Sequence, residues 1–328
     1  MIFGDLPKVS VMIPTFNQER LIAESIESAL RQDYPNLEII VSDDCSSDNT
    51  YDVVKQYLAD DRLVYFKNET NLGRVANYRK TLYERVNGEW ALNLDGDDHF
   101  FANDAISHMI TEVLSHKDKN VVAVLGSHMA VNTETGIGGQ PYSNYSTGVF
   151  AGLDIFLNWN ELSFGHLATL YSVDLARAID YYRLNTITSD WESILRLILH
   201  GDVIVTGKVI GVWNIHGNNA TVTKSMAEGI RDYSYIEESY NYALERGVNQ
   251  RILDRWFRKM IRYQTEALWT SDGRNSEKFE LLLPHIWRKY PFAMTALSSP
   301  KAAMKIVLSV YPPLFFKMRA FYRGTGMR

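Results

Sequence analysis

Short apolar runs that alternate with amphipathic stretches fill the N-terminal part of the chain, and this rhythm constrains the fold more than any other feature. Val9–Thr15, residues 37–42, Leu63–Lys67 and residues 91–94 are strand-like, and residues 37–42 are almost continuously apolar, as in a parallel strand covered on both faces. Between them, residues 19–31 place Ile22, Ile26, Ala29 and Leu30 on one helical face. Asp48 or Asn49 can cap a helix through Leu58, residues 74–85 form a third helix, and Asn103 or Asp104 caps another before a strand at 121–125. The pattern predicts an α/β fold with an open, mostly parallel central sheet and helices on both faces. Ligands of such sheets sit beyond the C-terminal ends of the strands, where loops 15–18, 43–48 and 95–98 fall.

Residues 126–171 are rich in Gly, Asn and Ser and read as irregular loops and short strands. A helix at 189–200 and short strands at 203–205 and 211–216 follow. Helical patterns then cover 228–245, 249–269, 276–289 and 301–310, the last cut by Pro312 and Pro313. We expect a nucleotide-binding domain over 1–224 and a helical C-terminal region over 225–328.

Charge and composition exclude several classes. The single cysteine, Cys45, rules out an internal disulfide framework and a thiolate metal site. The N-terminus lacks the basic and apolar segments of a signal peptide, and no run reaches the ~18 apolar residues of a spanning helix. The net charge of −5 hides an asymmetry: no acidic residue follows Glu280, while eight basic ones run from Arg288 to Arg328. The acidic body argues against nucleic-acid binding. The basic tail, with its Phe, Tyr, Leu and Met, suits an anionic membrane surface, against the alternatives of packing on the body or a dimer contact.

Two acidic groups end predicted strands. Asp95, Asp97 and Asp98 in Leu94-Asp95-Gly96-Asp97-Asp98 repel one another unless a cation sits among them. Mg²⁺ or Mn²⁺ takes such oxygen ligands and neutralises phosphate charge. The bland alternative is a solvated acidic turn. Asp43 and Asp44 can accept from a base N–H or a ribose hydroxyl, or simply make a turn, and spacing does not decide between these.

The segments VSVMIPTFNQE, IIVSDDCSSDNT and NLGRVANYRKTLYERVNGEWALNLDGDD, joined later by TSDWESILRLILHG and GVWNIHGNN, resemble family 2 glycosyltransferases of the GT-A fold. The likeness is close over roughly the first third and absent beyond about Met226. It implies an inverting transfer from a nucleotide-sugar donor to an acceptor hydroxyl; with the basic tail we expect a glycan or lipid-linked acceptor at the cytoplasmic face of the inner membrane. It places Pro14, Thr15 and Glu19 in the first nucleotide-contacting loop, and Asp43, with Asp44 beside it, at a uracil. It places Asp95 and Gly96 at the ribose and phosphates, Asp97 on the metal, and His216 at the metal or diphosphate. Asp190 is implied as catalytic base; its alternative is a helix cap, and Glu192 is the second choice of base.

Three positions depart from the family pattern. Tyr78 stands where an Arg is usual, which leaves phosphate contact to Arg74 or Arg79, each of which could equally be a solvated helix charge. Ser189 stands where many members have Glu. Cys45 replaces a usual Gly, from which we expect no requirement for positive φ there. Trp159, Tyr171, Trp191 and Trp213 are either sugar-stacking or core residues. A sugar nucleotidyltransferase would need a Gly-rich basic loop where this chain has Pro14-Thr15-Phe16-Asn17-Gln18-Glu19. A non-catalytic nucleotide-sugar-binding protein would have no need of all three carboxylate sites.

Overall fold

The computed structural model describes residues 6–139, 146–162, 165–271 and 275–298. The chain divides into two compact units, Met1–Thr223 and Lys224–Arg328. The expected helix at 301–310 and the basic tail lie outside the described residues.

The first unit is built on one sheet. Strands β1 (Val9–Thr15), β2 (Leu37–Asp43), β3 (Leu63–Lys67) and β4 (Trp90–Asn93) pair in parallel in the order β3-β2-β1-β4. Every residue of β1 and β2 is buried, the physical reason residues 37–42 read as an almost continuous apolar run. Their crossovers carry helices α1 (Ile22–Leu30), α2 (Thr50–Val54) and α3 (Arg74–Glu84). Helix α1 buries Ile22, Ile26 and Ala29 against the sheet in one core with Val11, Ile13 and Ile39. A two-residue strand β5 (His99–Phe100) and helix α4 (Ala105–Ser115) follow. Asp104 makes no side-chain cap bond to α4; its carboxylate pairs instead with Lys208.

Beyond β4 the sheet departs from the simple rhythm. Strand β6 runs over Val121–Asn132, then come β7 (Gly148–Ala151), helix α5 (Gly152–Leu157), β8 (Thr169–Ser172) and helices α6 (Val173–Ala178) and α7 (Ser189–Ile198). Strand β9 (Asp202–Ile215) and helix α8 (Ala220–Thr223) complete the unit. The full order is β3-β2-β1-β4-β8-β6-β9-β5, with β7 also on β9. β8 runs antiparallel between β4 and β6, so its first residue arrives at the edge where β4 ends.

Two sequence expectations fail here. Residues 126–132 continue β6 instead of forming a loop, and β9 is one 14-residue strand instead of two short ones. The β6–β9 register shifts around Ser127 absorb the interruptions, so the pairing bends but does not end. Gly126 allows this: a Cβ there would stand 2.2 Å from Ile210 Cγ1 of β9.

The second unit is helical over its described residues. The expected single helix at 228–245 is two, α9 (Met226–Arg231) and α10 (Tyr233–Glu245), and Ser225 and Glu228 form a reciprocal capping box at the start of α9. Helix α11 (Gln250–Thr270) buries Leu253, Trp256, Met260, Ile261 and Leu268 on one side. Tyr233 and Thr265 share a buried hydrogen bond of 2.8 Å between α10 and α11. The last helical stretch opens with α12 (Asn275–Glu277), widens to a π-turn over Lys278–Leu282 and closes as α13 (Leu283–Lys289).

Candidate active site

A cleft of about 380 Å³ opens at the C-terminal ends of β1 and β4. Pro14 and Thr15 line it from β1, Asp44 from the end of β2, Arg74 and Tyr78 from α3, and Asp95, Asp97 and Asp98 from the turn after β4. Trp213 and Asn219 close another side. Of the four aromatics that sequence left open, only Trp213 lines this cleft: Tyr171 is 1% exposed and stacked on Tyr181, and Trp159 meets Trp191 edge to face at 6.0 Å.

The first two loops brace each other. Thr15 Oγ1 donates to Gln18 Oε1 at 2.7 Å. Glu19 does not line the cleft; its Oε2 accepts from the backbone and side chain of Asn49 at 3.0 and 2.8 Å, while its own N–H donates to Asp48. Asp43 is likewise turned away. It is fully buried and accepts from Ser46 N at 2.7 Å and Tyr65 Oη at 2.6 Å, so of the acidic pair it is Asp44 that faces the cleft. Asp44 accepts from the backbone N–H groups of Leu72 and Gly73, both at 2.8 Å, which fixes the loop entering α3. Cys45 has φ +67°, so the position does adopt the left-handed conformation that the cysteine had led us not to expect.

The acidic turn is tied down by backbone bonds: Leu94 N donates to Met12 O at 2.8 Å and Asp98 N to Asp95 O at 2.9 Å. Gly96 lies behind the cleft wall, where a Cβ would stand 2.3 Å from Gln18 Oε1. One ligand atom from each of Asp95, Asp97 and Asp98 lies within 4.8 Å of the others. Asp97 Oδ2 is 3.0 Å from His216 Nε2 and accepts from Asn219 Nδ2 at 3.2 Å. Asp98 accepts from Asn214 N at 2.9 Å. Burial, and then the neighbouring carboxylates, push the pKa of Asp97 up and that of Asp98 well above the usual carboxylate range. Such crowding of buried like charges is what a divalent cation relieves, and three carboxylates beside an imidazole are a fitting set for Mn²⁺ or Mg²⁺.

Asp95 is held differently. Burial raises its pKa, but His166, Tyr78 and Arg74 outweigh that and leave it below the ordinary value. Tyr78 Oη donates to Asp95 Oδ1 at 2.8 Å, and His166 Nε2 lies 3.0 Å from Oδ2. Tyr78 thus serves the acidic turn from the position where the resemblance leads one to expect an arginine. Arg74 stands 5.5 Å over the Tyr78 ring and donates to the carbonyls of Thr186 and Ile187 at 3.0 and 2.9 Å, in the loop that enters α7. Burial disfavours its charge, yet Tyr78, Asp190 and Asp95 raise its pKa. Arg79 is on another side of α3, ion-paired with Asp180 at 2.5 Å, and does not line the cleft.

Asp190 is the second residue of α7 and is not its cap; Thr188 holds that position. Its carboxylate is 15% exposed and lies 3.9 Å from His166 Nδ1. Burial raises its pKa, opposed by His166 and Arg74. His166 and Asp190 stand beyond Asp95 and are not among the residues lining the cleft itself. Glu192 is excluded as a base: it is fully buried and ion-paired with Arg183 at 2.8 Å and Arg196 at 2.5 Å. Burial alone would favour a neutral His166, but Asp95, with Asp190 contributing less, raises its pKa. Sequence reasoning missed His166, because a histidine in a loop-like stretch carries no local signal of what the strand after it pairs with.

Comparison with known proteins agrees with this architecture. The family model described as "Glycosyl transferase family 2" matches residues 10–179, more than half of the chain. The putative glycosyltransferase EpsE of Bacillus subtilis is 38% identical over 135 residues, 40% of this chain and 47% of that protein. The GalNAc(5)-diNAcBac-PP-undecaprenol beta-1,3-glucosyltransferase of Campylobacter jejuni is 35% identical over 127 residues, 35% of this chain and 41% of its own. The chain thus spans less than half the length of these curated relatives. Among solved structures, S. aureus TarS 1–349 in complex with UDP-GlcNAc superposes with a TM-score of 0.68 at 19% identity, covering 90% of this chain and 83% of that one. The mannosyltransferase PcManGT from Pyrobaculum calidifontis, in complex with GDP-Man and Mn²⁺, gives 0.57 at 18% identity, covering 97% and 86%. With the family model spanning the parallel half of the sheet and the acidic turn, the chain belongs to glycosyl transferase family 2 and carries its GT-A fold.

Proposed function

We propose that the chain is an inverting glycosyltransferase that moves a hexosyl or N-acetylhexosaminyl group from a UDP-sugar to an acceptor hydroxyl. The observation that carries this reading is the placement of a half-buried three-carboxylate turn and a further half-buried carboxylate, Asp190, on either side of one histidine. The UDP-GlcNAc complex of the TarS relative supports a uridine donor. The lipid-linked substrate in the name of the Campylobacter relative supports a lipid-linked or growing glycan acceptor in cell-surface polysaccharide synthesis.

Pro14, Thr15 and Asp44 border the nucleotide side of the cleft. Asp97 and His216, with Asp95 beside them, would hold Mn²⁺ or Mg²⁺, which when bound neutralises the charge of the diphosphate. Arg74 adds a fixed positive charge at the cleft wall. The acceptor oxygen attacks the anomeric carbon as the bond from that carbon to the diphosphate oxygen breaks. Asp190 takes the hydroxyl proton, and the nucleoside diphosphate leaves with the bonding electron pair. Burial raises the basicity of Asp190, which suits that role.

Peripheral attachment at the cytoplasmic face of the membrane fits the basic second unit. On α11, Arg251, Arg255, Arg258, Lys259 and Arg262 recur at helical spacing along the exposed side, opposite the buried one.

Asp190→Asn is expected to keep donor binding in isothermal titration with UDP-sugars and Mn²⁺, and to lose transfer by about 10²–10⁴-fold. Asp97→Ala is expected to lose metal-dependent donor binding. Unchanged turnover in the first variant removes Asp190 from its role; activity that survives a chelator removes the metal.

A further inference from the structure

His166 lies within 4 Å of carboxylates from both halves of the proposed site. Its Nε2 is 3.0 Å from Asp95 Oδ2, and its Nδ1 is 3.9 Å from Asp190 Oδ2. The 3.0 Å contact sets the Nε2 edge of the ring on Asp95, an imidazole N–H facing a carboxylate oxygen. The ring is fixed on a third side by Tyr78, edge to face with centroids 5.8 Å apart. Tyr78 in turn donates to the other oxygen of Asp95. The imidazole therefore has one orientation, with Nδ1 aimed at Asp190.

The topology explains why a residue far from both carboxylates in sequence stands between them. β8 enters antiparallel at the edge where β4 leaves, and His166 begins the 3₁₀ turn that leads into β8. α7 is held from the other side by Arg74, whose guanidinium binds the two carbonyls just ahead of it. Among the described residues His166 Nδ1 has no hydrogen-bond partner although it is buried. A structural histidine normally satisfies both ring nitrogens. A buried nitrogen left facing a carboxylate at 3.9 Å leaves that carboxylate free to meet another group while limiting where it can swing.

We propose that His166 is a positioning residue that registers the base Asp190 against the donor-binding turn at Asp95. The inference rests on the reading of Asp190 as base. It assigns His166 no bond to substrate. It holds two carboxylates at a set separation, and displacement of about 1 Å at a reacting group costs roughly a hundredfold in rate.

Two conservative variants divide its contacts. His166→Gln places an amide near the Nε2 position, keeping the bond to Asp95 and losing the group that faces Asp190. His166→Asn places one near Nδ1 and loses Asp95. The first is expected to lower kcat about 10- to 100-fold with donor KM unchanged; the second is expected to raise donor KM with a smaller loss of kcat. In the Asp190→Asn background, His166→Gln is expected to have no further effect on the residual rate, since both act on one group. Equal losses in kcat and KM for both variants, or full additivity with Asp190→Asn, would overturn the inference and leave His166 a structural residue. Failure of the underlying reading looks different: the unaltered chain then turns over no nucleotide sugar, or Asp190→Asn alone keeps full activity. Melting temperatures of the variants separate misfolding from either result, and calorimetric UDP-sugar affinity still tests the Asp95 arm where turnover is lost.

Discussion

At Cys45 the backbone takes φ +67° while carrying a side chain. An L-residue there costs about 1–2 kcal/mol, partly offset in a glycine by the larger entropy of its unfolded chain. Cys45→Gly should therefore raise the unfolding free energy by about 0.5–1 kcal/mol in urea titrations. Cys45→Val should lower it, because a branched Cβ fits that conformation worse. A glycine variant less stable than the native chain would show that the contact of Cys45 Sγ with Glu69 O, at 3.5 Å, outweighs the strain. Residue chemistry was legible in the sequence where a motif ends a strand: Asp95, Asp97 and Pro14 all line the cleft. It was illegible where orientation decides. Asp43 ends β2 and Asp44 begins the turn after it, so spacing cannot rank them, and it is Tyr65 that claims Asp43.

Helix α7 shows how an element is held by charge it cannot expose. Glu192 and Arg196 are fully buried one turn apart, and Arg196 also donates to the carbonyls of Ile179 and Asp180. Removing one partner strands the other in the core, which costs about 3–5 kcal/mol. Glu192→Ala should show that loss in urea unfolding, and the paired Glu192→Leu, Arg196→Met change should recover much of it. A loss under about 1 kcal/mol would mean that the carbonyls of Ile179 and Asp180 satisfy the guanidinium without the carboxylate. β1 and β2 were legible because burial on both faces leaves few polar positions to blur the run. β6 and β9 were not, because Gly126, Ser127 and the polar residues near Gly207 look like breaks, whereas bulges carry the pairing through them.

The whole chain separates its charge. Met1–Thr223 has 29 Asp and Glu against 16 Lys and Arg, and the rest has 10 against 18. Each basic side chain near an anionic leaflet contributes about 1 kcal/mol, screened by salt. The chain should float with vesicles containing anionic lipid and not with neutral ones, and salt should weaken the binding. Replacing Arg251, Arg255 and Arg262 by Gln should reduce partitioning roughly a hundredfold. If those changes, combined with truncation after residue 299, leave flotation as it was, the membrane reading fails.

The reversed strand β8 also bears on how a chain of this kind can change over time. Because it delivers His166 to the edge where β4 leaves, the connection from α5 to His166 can change length without re-threading the strands that lead to Asp95 and Asp97. Insertion there would change the surroundings of His166 while the pairing of β1, β2 and β4 that leads to the acidic turn stays as it is.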